Sequence, residues 1–289
     1  MAQKMLIKES DTKHKKKVGK GKKALWITGL VLLFLTGLAL TFNTQIRDFM
    51  LQQNEKQSAQ TLTQGAKNGD PTKSTQAKKN QKINKLKAEY RDALKHGNKA
   101  LAKKLKHEID HMQPKGTTYN WSAVKPVSTG SAISSRLHRS AAGAVGDVAI
   151  PKAGLYLPIN AGVGNWALSC GFGTFSSVQE MGVGNYPLAA HNLSTTGQLG
   201  AKLDYANVGD NVYLTDLNTV YVYKIYHKGE FSPTATWVTN INSTHNGQPT
   251  VVLITCHDWG STREIVFGEL QFSYHATKHN LKVFKNLYY

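Results

Sequence analysis

The sequence predicts a mostly β domain preceded by an N-terminal membrane-spanning helix and a second, amphipathic helix. Three observations predict it. Ala24 to Phe42 is apolar over about 19 residues, just long enough to cross a bilayer as a helix. Between Gln81 and Met112, Ile83, Leu86, Tyr90, Leu94, Leu101, Leu105 and Ile109 recur mostly at three- and four-residue steps, the period of a one-sided helix. Beyond Gly116, β-branched and aromatic runs alternate with Gly, Asn, Asp and Pro turns, as short strands do.

Lys13, Lys15, Lys16, Lys17, Lys20, Lys22 and Lys23 precede the apolar run. Positive residues stay on the cytoplasmic side, so residues 1–23 read as a cytoplasmic tail, 24–42 as a single-pass anchor and the remainder as extracellular. A cleaved signal peptide begins in the same way, but its apolar core spans only ~7 to 15 residues. No small-x-small cleavage site follows at Leu40-Thr41-Phe42-Asn43, so a retained anchor is expected.

Gln52 to Asn80 is rich in Gln, Lys, Thr, Ser and Asn and reads as an unfolded tether, since it offers little apolar surface to bury. The amphipathic helix, weakened at His96-Gly97-Asn98, reads as a stalk. A helix packed back on the domain, or one resting on anionic envelope polymers or lipid headgroups, is the alternative. Pro114-Lys115-Gly116 ends it, which makes 43–117 linker and stalk and 118–289 the folded C-terminal domain.

In that domain Asp147 to Leu157, Asn211 to Leu214, Thr219 to His227, Thr250 to Cys256 and Glu264 to Ser273 read as strands. Short helices are expected near Val163 to Ser169 and Gly200 to Tyr205. Such a pattern indicates a barrel or a sandwich.

The chain has 289 residues and a formal net charge of +18, distributed unevenly. Up to Lys115 there are 25 basic against 9 acidic side chains, and beyond it 11 against 9. A nearly neutral C-terminal domain argues against nucleic acid as its target, which needs a clustered basic face. Cys170 and Cys256 raise the possibility of a disulfide in an exported protein, but a domain of about 170 residues holds a core without one.

The chemistry concentrates at Val252-Leu253-Ile254-Thr255-Cys256, an apolar strand ending on a cysteine, with Arg263 seven residues later and His191 upstream. A free thiol, with a pKa of about 8.5, is mostly protonated at neutral pH, and the nucleophile is the thiolate. His191 is the candidate acid/base partner. Asp258-Trp259-Gly260-Ser261 reads as a hairpin turn that returns Arg263 beside the thiol. Arginine stays protonated and suits hydrogen-bond donation to a carbonyl or oxyanion.

Each residue has a plainer reading. Cys256 alone reads as a buried small hydrophobe, and Arg263 as the partner of Asp258, Glu264 or Glu269. His257 follows the cysteine directly, but alternation along a strand turns it to the opposite face. His14, His96, His107 and His111 fall in the tail and helix. His138, His227, His245, His275 and His279 have no motif around them.

Leu253-Ile254-Thr255-Cys256, Arg263 at this distance and His191 in Leu188-Ala189-Ala190-His191-Asn192 together resemble the signature of the sortases, the class A housekeeping type in particular. The family pattern Thr-Leu-x-Thr-Cys is broken only by Val252. Ile150-Pro151 through Leu157-Pro158-Ile159, Gly171-Phe172-Gly173-Thr174 and Gly182-Val183-Gly184-Asn185-Tyr186 resemble further family segments, and the resemblance runs from about Tyr119 to Tyr289.

The resemblance implies an eight-stranded β-barrel and a two-step transpeptidation, which needs an export anchor of the kind read above. Cys256 attacks the threonine carbonyl of a Leu-Pro-x-Thr-Gly sorting signal, and His191 protonates the departing glycine amine. An amine of a peptidoglycan precursor, lipid II, then resolves the thioester, which leaves a surface protein joined to the wall of a Gram-positive cell. Arg263 steadies peptide and oxyanion, with the Thr255 hydroxyl or a backbone amide as a further donor. Ala190, Ile254, Thr255 and Trp237 are the candidate substrate-binding residues. Ala190 stands where relatives often carry glycine, and Trp237, in the groove-forming loop between Phe231 and Val251, reads equally as a core aromatic.

Some members of the family are helped by calcium, which needs several oxygen ligands. Gly171 to Asn185 offers only Glu180, so no metal and no cofactor are expected. No zinc-type Cys/His spacing occurs, and Gly182-Val183-Gly184 lacks the context of a phosphate loop. The competing readings are a pilus-type sortase, which often has a second apolar segment that this chain lacks before Leu287-Tyr288-Tyr289, a cell-wall cysteine hydrolase or L,D-transpeptidase, and a non-enzymatic, membrane-tethered envelope-binding protein.

Overall fold

The computed structural model describes residues 20–121, 124, 128–137, 143–193, 197–257 and 260–288. Lys13, Lys15, Lys16 and Lys17, His14, His138, Asp258, Trp259 and Tyr289 lie outside them. The chain divides into two compact units, residues 1–43 and 44–289. In the first, α1 (Lys20–Thr41) contains a 19-residue stretch, Lys23–Thr41, long and apolar enough to cross a membrane.

The second unit is built on a closed eight-stranded barrel, as the resemblance implies. Its strands are β1 (Ala144–Ile150), β2 (Leu155–Asn160), β3 (Phe172–Thr174), β4 (Asn185–Ala190), β7 (Asn211–Thr215), β8 (Thr219–Phe231), β9 (Thr250–His257) and β10 (Thr262–His275). Around the barrel the order is β1-β2-β3-β4-β9-β10-β8-β7, closed by β7 on β1. The β2–β3 and β4–β9 pairs are parallel and the others antiparallel. β5 (Asn192–Leu193) and β6 (Gln198–Leu199) form a separate two-stranded ribbon.

Alternation separates two cores. Leu157, Phe172, Leu188, Leu253 and Val266 fill the barrel interior, while Ala189, Val252, Ile254, Ile265 and Phe267 pack on its outer wall. The run read as one strand, Asp147 to Leu157, is two. Pro151 opens a tight turn ending at Gly154 in the left-handed conformation, and the chain reverses into β2. Short helices occur where expected, as α6 (Asn165–Leu168) and as a 3-10 segment, Gly200–Tyr205.

Residues 43–117 are neither tether nor stalk. They form α2 (Asn43–Thr63), α3 (Thr75–Lys95) and α4 (Lys99–His111), and from Thr44 onward they belong to the same compact unit as the barrel. The boundary expected at 117/118 is therefore absent. Few apolar residues suffice because they share one face. Leu51 and Leu62 of α2 are 1 % and 0 % exposed, each burial stabilising by about 1.5–3 kcal/mol.

Polar residues of the supposed tether also find partners on the barrel. Ser58 Oγ hydrogen-bonds Asn160 Oδ1 at 2.6 Å, and Asn80 Nδ2 donates to Val145 O at 2.9 Å and Asp216 O at 2.7 Å. Lys87 Nζ reaches Gln179 O at 2.6 Å, and burial pulls its ammonium down to about 8, against the pull of Glu180 and Asp216. Gly97, at φ +69°, makes the turn between α3 and α4, and the Asn98 side chain caps α4 by accepting from Leu101 N at 3.0 Å. A last helix, α5 (Thr129–Leu137), accepts a hydrogen bond at Ala132 O from Asn54.

Candidate active site

Three neighbouring strands end together. β4 runs parallel to β9 with Ala190 opposite Thr255, and β9 runs antiparallel to β10 with Cys256 opposite Arg263. Ile254, two residues before Cys256, lies on the outer wall opposite Ile265, and Ala189, two before His191, lies there too. The two-residue period of a strand therefore puts Cys256 and Arg263 on that wall. His191 follows β4 directly, next to the Ala190–Thr255 row, so the three residues stand at the ends of three laddered strands.

Cys256 is partly buried and unpaired, and Cys170 is a free, fully buried thiol on a separate segment. Burial pushes the Cys170 thiol well above its ordinary range, which suits an inert core residue. His191 is 8 % exposed, and loss of water holds its imidazole down to about 4, so it rests neutral near pH 7. A neutral ring has a free lone pair for a proton, although the burial that keeps it neutral also weakens it as a base.

Arg263 Nη1 donates to Gly260 O and Thr262 O, both at 2.9 Å. These bonds fix the guanidinium on its own turn and leave its Nε and Nη2 hydrogens without a protein acceptor among the described residues. Of the acids weighed as its partners, Glu264 pairs with Lys228 at 3.3 Å and Glu269 with His245 at 2.5 Å. β9 continues through His257, which sits 3.3 Å from Glu230 Oε1.

Thr255 and Ala190 fill a different role from the one expected. Both are buried, and Ala190 packs in the barrel interior. Thr255 Oγ1 donates its only proton to Ala190 O at 3.1 Å, so the hydroxyl ties β9 to β4 and is no free oxyanion donor. Gly200 leaves no room behind this tie. A Cβ there would lie 2.5 Å from Thr255 Oγ1 and 3.1 Å from His191 O, to which Gly200 N donates at 2.8 Å.

Arg263 also lines a groove of about 450 Å³ on the outer wall. Its apolar floor is Ile254 and Ile265, and its walls include Trp121, Phe175, Val238 and Ile241. Of the candidate substrate-binding residues only Ile254 lines it. Trp237 is not a core aromatic: it is 62 % exposed, stacks on Phe267 at 6.0 Å between centroids and meets Phe231 edge-on at 6.1 Å. Val238 and Ile241 belong to the loop between Phe231 and Val251 expected to form the groove, whereas Trp121 and Phe175 come from two other loops and were not anticipated. The only local signal was the apolar residue at 265, opposite Ile254.

Glu180, the lone acid weighed for calcium, holds Arg91 at 3.0 Å. Among the described residues no group of three or more His, Cys, Asp or Glu side chains is placed to hold a metal ion.

Comparison with known proteins gives the family. Residues 148–271, which include His191, Cys256 and Arg263, match the sortase domain model. Sortase A of Streptococcus agalactiae serotype III (strain NEM316) is 36% identical over 172 residues, 57% of this chain and 68% of that protein. Sortase A of Listeria monocytogenes serovar 1/2a (strain EGD-e) is 30% identical over 173 residues, 59% of this chain and 76% of that protein. The crystal structure of Listeria monocytogenes sortase A aligns with a TM-score of 0.45 at 31% identity, over 49% of this chain and 97% of that one. The chain belongs to the sortase family of transpeptidases. Within that family its Sortase A relatives place it in class A.

Proposed function

We propose that Cys256, His191 and Arg263 perform the transpeptidation on a Leu-Pro-x-Thr-Gly sorting signal, cleaving it between threonine and glycine. The observation that supports this reading is the position of the three residues at the ends of three laddered strands, beside an apolar groove lined by Arg263, Ile254 and Ile265. The groove accepts the apolar leucine and proline. Neutral His191 takes the Cys256 proton as the thiolate attacks the threonine carbonyl, and the imidazolium so formed protonates the departing glycine amine. The Arg263 Nε and Nη2 hydrogens, without an acceptor among the described residues, donate to the oxyanion.

In the second step neutral His191 deprotonates the amine of a lipid II precursor, which displaces Cys256 from the thioester. Surface proteins carrying the signal are thereby joined to peptidoglycan. α1 anchors the enzyme in the cell membrane, with the lysine-rich tail cytoplasmic and the catalytic unit outside.

Intact-mass measurement of acid-quenched protein during turnover of a Leu-Pro-Glu-Thr-Gly peptide tests the reading. The expected result is an adduct with the mass of the acylated N-terminal fragment, absent in Cys256→Ala and discharged by a glycine-based amine. Folded protein that forms neither adduct nor cleaved peptide, across a library of related peptides, would overturn it.

A further inference from the structure

The helical hairpin of α3 and α4 lies outside the chemistry described above. From Thr75 to His111 it carries eleven Lys and Arg residues against four Asp and Glu, whereas the chain beyond Lys115 is nearly neutral. Its apolar side is used internally: Ile83, Leu86, Ala93, Ala102, Leu105 and Ile109 are all buried. Three of its cations are engaged, Lys87 by Gln179, Arg91 by Glu180 and Lys106 by Asp110.

Lys79 is half-buried, and the other cations are exposed. Lys78, Lys82 and Lys85 are exposed at three- and four-residue steps along α3, and Lys99 and Lys103, with Lys104 beside them, continue the exposed cations along α4. None of these six has an ion pair among the described residues. Residues three or four apart share a helix face, about 5–6 Å from one another. Lys78, Lys82 and Lys85 cover about 10 Å of α3 before exposed Glu89 and Asp92 continue the same row, so the cations form two patches, one in the first half of each helix.

We propose that these two cationic patches together dock a linear phosphodiester polymer. Charge complementarity selects a polyanion, and the remaining features of the surface select its kind. Lying in a bilayer interface takes an apolar stripe beside the basic one, and that stripe is already buried. The exposed leucines, Leu94 at 50 % and Leu101 at 41 %, sit only at the turn between the helices. Base stacking takes exposed aromatic rings, and the one aromatic ring on the two helices other than histidine, Tyr90, is partly buried against their apolar seam. A repeating phosphate chain without bases fits what is left. None of these lysines lines the groove or the thiol site, so docking and peptide turnover are separable.

The test uses the full chain in phosphatidylcholine nanodiscs, titrated with poly(glycerol phosphate) across a salt series, with phosphatidylglycerol vesicles as a second probe. Polymer binding should weaken with salt, since displaced counterions and screening set its strength. A variant with Lys78, Lys82, Lys85, Lys99, Lys103 and Lys104 all changed to Gln should bind the polymer at least tenfold more weakly, with a shallower salt slope. Its melting temperature and peptide turnover should be retained, and neutralising Lys13, Lys15, Lys16 and Lys17 instead should leave polymer binding unchanged. Equal polymer binding by the folded six-Gln variant, a loss that follows the N-terminal tail, or a loss seen only with the vesicles would each overturn the proposal.

Discussion

Cys256 and Arg263 are Cα partners across the β9–β10 ladder, two rows beyond the Ile254–Ile265 pair that floors the groove, with the Thr255–Glu264 row between them. A thiol, a fixed cation and an apolar surface thus lie on alternate rows of one antiparallel pair, which share a face. Because the ladder sets this spacing, the site requires no rearrangement of loops to bring nucleophile and cation together.

Replacement of Arg263 tests its assignment as an electrostatic donor. Loss of a single oxyanion donor costs about 10²–10³ in kcat, so Arg263→Ala should fall by that factor. Arg263→Lys should recover little of it, because an ammonium on a flexible stem lacks the planar fork that anchors one nitrogen on Gly260 O and Thr262 O while the others aim N–H groups elsewhere. Steady-state cleavage of the sorting peptide gives the comparison, and full activity in the lysine variant would refute the geometric role.

His191 should stay neutral far below its usual range. With the folded imidazole near 4 and the unfolded one near 6.5, the unfolded chain binds more protons between those values. This group therefore makes the fold more stable as pH rises from about 4 to 6.5, and adds no dependence above that. Imidazole NMR of the folded protein measures the titration directly. A ring that titrates at 6.5 would contradict the desolvation account.

Thr255→Val separates tie from donor. Loss of the bond to Ala190 O should destabilise the fold by about 1 kcal/mol, with kcat changed less than tenfold. A loss of 10² or more at unchanged stability would restore the hydroxyl to the oxyanion site.

The packed N-terminal helices predict the outcome of truncation. A fragment starting at Gly116 lacks Leu51, Leu62 and Ala77, and should melt on the order of 10 °C below one starting at Thr44, since each kcal/mol shifts a domain of this size by about 2–4 °C. Leu62→Ala in the longer fragment should cost about 2–5 kcal/mol. Coincident melting curves for the two fragments would show that the helices contribute no stability.

The chemical trio was legible because its residue types sit at informative spacings. A cysteine at a strand end, a hairpin and an arginine specify neighbours on one pair of strands, and His257 could be set aside by alternation alone. The splitting of 147–157 at Pro151–Gly154 was also open to turn chemistry. Of the groove walls, the loop carrying Val238 was anticipated, but Trp121 and Phe175 were not legible, because they are far from it in sequence and each looks like an ordinary apolar loop residue. Residues 52–80 were misread for a related reason. Low overall hydrophobicity signals disorder only when the apolar residues are also scattered, and here Leu51, Leu62 and Ala77 fall on faces that a preformed barrel covers.

By itself the sequence determined the apolar N-terminal helix and the β character of the C-terminal part, and it pointed to the thiol, imidazole and guanidinium proposed for the chemistry, because periodicity and local spacing depend on neighbours along the chain. Only the tertiary structure decided that α2, α3 and α4 close on the barrel, that Thr255 turns inward to Ala190, that Trp237 stands in solvent and that water is excluded from His191. Burial and hydrogen-bond partnership are properties of segments brought together from afar, and no local pattern carries them.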